Sequence, residues 1–135
     1  MVDLTVTPTA VAAGSNATKE TGIAGETIIA GQVLAKAVSG LLMKCDNNHA
    51  TPEIRRPVGV ALNGGAINQP ITFQTRGDIT IGATVAPGIT YFTSDTPGGI
   101  GVAADNVAGE FTGILGLGKS TTVITLDIQY GGVAV

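Results

Sequence analysis

Tryptophan is absent from this 135-residue chain, and cysteine and histidine occur once each, as Cys45 and His49. A single cysteine excludes an intrachain disulfide, and a single histidine excludes any site that needs two imidazoles. Charge is scarce as well: 13% of residues are charged, seven Lys and Arg against ten Asp and Glu, for a net charge of −3. So few cations leave no broad basic surface to release counterions from a phosphate backbone, which argues against DNA or RNA as a partner. No apolar run approaches the roughly 18 residues that a membrane-spanning helix needs. Asp3 stands where a signal peptide would carry its basic region. The expectation is a chain without membrane association, made in the cytosol of the cell that translates it.

The chain is apolar without being bulky: 44% hydrophobic, only 4% aromatic, and with 20 Gly. Disorder goes with low hydrophobicity and high net charge, so a folded domain is expected, and 135 residues suffice for one core that buries roughly 65–70% of the unfolded chain's surface. Val, Ile and Thr recur along the length between Gly, Pro and Asn, the pattern of short strands joined by tight turns. The fold class expected is all-β, a barrel-like or sandwich domain of about eight to ten short strands. No crossover helices are available for βαβ units.

Residues 1–25, rich in Thr, Ala, Ser and Asn, read as an extended N-terminal arm, and residues 26–135 as the compact domain. In the arm, Leu4 and Val6 alternate with Thr5 and Thr7 before Pro8, so these four residues can add as a short strand to an exposed sheet edge. Ser39-Gly40 separates two apolar runs as a hairpin turn. Thr51, Pro52 and Pro57 delimit one short helix, as cap, first position and stop. In PITFQTRGDITIG, Ile71, Phe73 and Thr75 share one face, Ile79 and Ile81 continue the same parity, and Gly77 is the expected kink. Toward the end, TTVITLDIQY alternates Ile124, Leu126, Ile128 and Tyr130 against Thr125, Asp127 and Gln129. The closing GGVAV reads as an apolar tail able to tuck onto the barrel or a neighbour.

One motif suggests chemistry. Gly113, Gly118, Lys119 and Ser120 match the spacing of a phosphate-binding loop, whose function requires a helix directly after it so that backbone N–H groups and the helix N-terminus cradle the phosphates. The following segment is β-branched and alternating, so it reads as a strand and the motif as a turn. His49 has only Asp46 and Glu53 nearby as candidate ligands and reads as a solvated loop residue; Cys45 reads as a small buried hydrophobe. Lys44, Arg55, Arg56 and Arg76 read as solvated charges or rim contacts. No catalytic residue, metal ligand or cofactor site is assigned, and the chain is expected not to be an enzyme.

Three stretches, RPVGVALNGGAINQPITFQTRGDITIGATV, PGITYFTSDTPGGI and GILGLGKSTTVITLDIQYGGVAV, together with the opening VDLTVTPTAVAAGSNAT, resemble tailed-phage head decoration proteins, also called cement or capsid-stabilising proteins. The resemblance implies a β-barrel-like domain on the outer capsid surface of the virion. It implies the major capsid protein as partner, self-association into a symmetric oligomer with a trimer favoured over a dimer, and an arm reaching onto the shell. Two other functions are compatible with the residues: a structural protein of the tail or baseplate, and a carbohydrate-binding β module. The latter would lean on exposed aromatics, and only Phe73, Tyr91, Phe92, Phe111 and Tyr130 are available.

Overall fold

The alternating segment around Gly77 forms the longest strand and organises the sheet. The computed structural model describes residues 3–135 and carries ten strands among them. These are β1 (Ala12–Ala13), β2 (Thr18–Ile23), β3 (Val33–Lys36), β4 (Leu42–Lys44), β5 (Gly59–Ala61), β6 (Pro70–Thr80), β7 (Thr90–Thr93), β8 (Ile100–Val102), β9 (Ile114–Gly118) and β10 (Val123–Gln129). One helical turn, α1 (Pro52–Arg55), lies between β4 and β5. The all-β expectation holds: the strands form one antiparallel sheet in the order β4-β3-β5-β6-β10-β9-β7-β8, curled into a half-barrel.

β6 is the branch point. One of its edges is taken by β2 and then β1, and the other is divided between β5 near Phe73 and β10 from Arg76 onward. Thr75 is the extra residue of a bulge, since Thr18 pairs with Arg76 while Lys19 pairs with Gln74. An inserted residue reverses which side of the sheet a given parity faces. Ile71 and Phe73 accordingly join one buried cluster, with Leu34, Leu42 and Ile28, whereas Ile79 and Ile81 join another, with Val33, Val60, Leu115, Ile124 and Leu126. The single face expected for these four residues is therefore divided between two cores. Gly77 turns the strand here with φ +92°, and a Cβ on it would meet the Asn16 carbonyl oxygen at 2.5 Å. Gln74, fully buried, bridges the bend by donating from Nε2 to the carbonyls of Arg76 (3.1 Å) and Asp78 (2.8 Å).

Because strands β3 and β5 contribute to both clusters, they are buried on both faces: Val33 and Val60 point one way, Leu34 and Ala61 the other. The Ser39-Gly40 turn joins β3 to β4 as expected, closed by Ala37 and Leu41. Thr51 occupies the N-cap of α1 and Pro52 its first turn, but the Thr51 side chain makes no capping hydrogen bond.

The N-terminal residues differ most from expectation. Residues 1 and 2 lie outside the described residues, but Leu4, Val6 and Val11 pack against the larger core cluster. The backbone follows them: Leu4 N–H donates to the Ile100 carbonyl (2.9 Å) and Thr7 N–H to that of Gly82 (2.7 Å). Further on, residues 18–23 pair along β6. The sheet has no break at residue 25. Three aliphatic side chains and a six-residue ladder hold the segment that composition alone marks as loose, because burial and hydrogen bonding depend on where the chain runs and not on its average content.

Candidate functional site

A cleft of about 570 Å³ opens beside α1, lined by Pro52, Glu53, Arg55, Arg56, Phe111, Tyr130 and Gly132. Three separate parts of the chain build it, and each is fixed by identifiable contacts. The α1 turn is held from below: Ile54 is buried, its carbonyl accepts from Asp46 N–H (3.1 Å), and the Arg55 carbonyl accepts from the Cys45 thiol (3.6 Å). The Phe111 loop is tied to the barrel through Asn47, which is fully buried. Asn47 accepts at its carbonyl from Phe111 N–H (2.8 Å), donates its own N–H to the Ser94 carbonyl (3.0 Å), and donates from Nδ2 to the Thr93 carbonyl (3.2 Å). Thr93 Oγ1 then accepts from Gly113 N–H (2.9 Å). Tyr130 arrives at the end of β10. The tail also reaches this region, where Val135 N–H donates to the Glu110 carbonyl (2.8 Å).

Two guanidiniums sit over two rings in this cleft. Arg55 Cζ lies 3.8 Å from the Phe111 centroid and Arg56 Cζ 5.4 Å from that of Tyr130, both within the reach of a cation–π attraction. Arg55 Nε is enclosed and has no hydrogen-bond partner. The ion pairs among the described residues are elsewhere, Lys44 with Glu26 and Lys119 with Asp78. Of the four cations considered together in the sequence, Arg55 and Arg56 therefore meet, Lys44 does not join them, and Arg76 lies on β6 opposite Asp127 of β10.

The remaining sequence candidates resolve as follows. Residues 114–118 of the phosphate-loop match are strand β9, and a tight turn at Lys119 and Ser120, both donating backbone N–H to the Val123 carbonyl, leads into strand β10 instead of a helix. Lys119 Nζ is bound to Asp78 Oδ2. Cys45 is 1% exposed, and burial, with the Asp46 charge adding to it, pushes its thiol up to about 12. A thiol so desolvated is a poor nucleophile. His49 is exposed and accepts at Nδ1 from Thr51 N–H (3.0 Å), which fixes the loop. Among the described residues no three His, Cys, Asp or Glu side chains come together in a metal-binding arrangement. Leu4 and Val6 turn toward the barrel's own core, while Thr5 and Thr7 are exposed.

A second surface lies on the outer face of β7, β9 and β10. Thr90, Ile114, Leu117, Thr125, Asp127 and Gln129 line a shallow groove of about 300 Å³, with Leu117 53% exposed. Sequence reasoning missed both surfaces. The alternation of β10 could have marked Thr125, Asp127 and Gln129 as outward-facing, but nothing in the sequence pairs Arg55 with Phe111, fifty-six positions away. Comparison with protein-family models, curated proteins and solved structures finds no match to this chain.

Proposed function

We propose that this chain is a non-enzymatic decoration protein that binds the outside of a tailed-phage capsid and stabilises it, with the major capsid protein and further copies of itself as partners. The sequence resemblance supplies the class. The observation that carries the reading is the outer sheet face of β7, β9 and β10, where Ile114 and the exposed Leu117 line a shallow groove with Thr90, Thr125, Asp127 and Gln129, a surface suited to docking and not to chemistry. A protein that binds the assembled shell and not its dissociated subunits stabilises the shell by mass action. Linking several such faces in a closed symmetric oligomer, a trimer by the resemblance, raises the effective concentration of each contact without requiring any one to be strong.

The carbohydrate-binding alternative needs aromatic faces open to sugars. Phe73 and Tyr91 are buried, Phe92 is half-buried, and Phe111 and Tyr130 each have an arginine over one face, which leaves little platform for stacking. Quantifying the protein in purified virions separates the head from the tail or baseplate: a copy number comparable with the major capsid protein supports decoration, and a handful of copies per particle overturns it. Purified protein should also co-sediment with expanded shells lacking it, saturating at a fixed ratio.

A further inference from the structure

We infer that the cleft between α1 and the Phe111 loop is a carboxylate-binding site that takes an acidic peptide segment of a partner protein, with Arg55 and Arg56 as the paired anchors. The inference stands apart from the capsid reading, because it rests on the cleft alone.

Among the described residues neither arginine has a carboxylate within ion-pair distance; the ion pairs present are Lys44 with Glu26 and Lys119 with Asp78. Arginine placed in this way, over aromatic rings and beside open volume, keeps its planar fork available for an incoming acceptor. The stacking on Phe111 and Tyr130 limits where each guanidinium can go, so little side-chain freedom remains to be lost when a ligand arrives. The volume, about 570 Å³, falls within the range of ligand clefts and exceeds what one carboxylate fills.

The lining selects among anions. Pro52, Phe111 and Tyr130 supply apolar walls, which accommodate the hydrocarbon stem of a Glu or Asp side chain and the backbone carrying it. Glu53 also lines the cleft, and its charge opposes a phosphate dianion more than a single carboxylate. Nucleic acid needs a track of cations, and Arg55 and Arg56 are the only cations among the residues lining the cleft.

The test is a titration of the full-length protein, followed by NMR at the arginine Nε–H groups and the Phe111 and Tyr130 rings. The probes are an acetylated, amidated tetraglutamate peptide, its tetraglutamine counterpart and inorganic phosphate. Saturable shifts confined to these four residues with tetraglutamate, and none with tetraglutamine, are expected. Arg56 is exposed, so Arg56→Gln should melt as the wild type does while weakening the peptide about tenfold, and Arg56→Lys should restore only part of that loss, as expected where a bidentate fork matters. Arg55→Gln should abolish the shifts; if that variant fails to fold, the Arg56 pair decides the outcome. Shifts scattered over the surface, binding unchanged in Arg56→Gln, or phosphate binding more tightly than the peptide would each overturn the assignment.

Discussion

Two stretches near the N-terminus have similar Thr-rich composition and are held in place by different forces. Residues 3–11 lie on the barrel mainly through side chains: Leu4, Val6 and Val11 turn inward onto the core, Asp3 Oδ1 accepts from Ser94 Oγ (2.8 Å), and isolated backbone bonds run from Leu4 to Ile100 and from Thr7 to Gly82. β2 is the reverse. All six of its residues pair with β6, broken in register only by the bulge at Thr75, yet five of the six are exposed. The first stretch depends on the hydrophobic effect and the second on a ladder of main-chain hydrogen bonds. A segment's adhesion therefore follows from whether its few aliphatic residues fall on the inward parity, and composition averages that information away.

The largest effect expected from this contrast is in the first stretch. Replacing Leu4 and Val6 together by Ala should cost about 2–4 kcal/mol, less than two fully buried truncations because both residues are only partly covered. Chemical denaturation of the variant against the wild type checks this, and an unchanged midpoint would mean that the segment is not part of the cooperative unit. Next is the surface it lies on. Gly82 has φ +73°, and a Cβ there would sit 2.5 Å from the Thr7 carbonyl oxygen, so Gly82→Ala combines a left-handed backbone with a clash and should destabilise by about 1–3 kcal/mol. Amide exchange should show protection lost first at Leu4 and Thr7. In β2, by contrast, truncating the exposed Thr21 to Ala should change stability by no more than about 0.5 kcal/mol.

The smallest effect concerns the link between the two stretches, at residues 14–17. Asp78 accepts at its carbonyl from Gly14 N–H (2.8 Å) and donates its N–H to Asn16 Oδ1 (2.9 Å), while Lys119 and Thr125 hold its carboxylate. Those bonds to Lys119 and then Thr125 lower the Asp78 pKa from its ordinary 3.8. A carboxyl lowered on folding contributes stability above its unfolded pKa, lost as pH falls through the folded value. Lys119→Ala should therefore leave the melting temperature at neutral pH almost unchanged, raise the Asp78 pKa when followed by NMR, and weaken the acid dependence of stability below about pH 4. ATP binding by the wild type that vanishes in this variant would reopen the phosphate-loop reading.

Much of the fold was legible because local pattern and local structure agree. The alternation of Ile124, Leu126 and Ile128 produced β10, Gly77 marked the bend in β6, and Pro52 and Pro57 bounded the only α-helical turn among the described residues. What parity could not reveal was the Thr75 bulge, since one extra residue changes faces without altering the hydrophobic pattern. The arginine cleft was illegible for a different reason. Arg55, Phe111 and Tyr130 meet only because Asn47 ties the loop at Phe111 to the end of β7, a long-range arrangement set by topology. Conversely, the sharpest motif in the sequence, GILGLGKS, became an ordinary hairpin, since the strand after it determines what its glycines do.

Electron microscopy of virions, with this protein localised in the map, tests the proposed function most directly. The account predicts half-barrel density on the outer surface of the head, repeated at every equivalent symmetry position, with the Leu117 face of β9 against the major capsid protein or a neighbouring copy. Density confined to the tail or baseplate, or a head surface bare of it, would contradict that account.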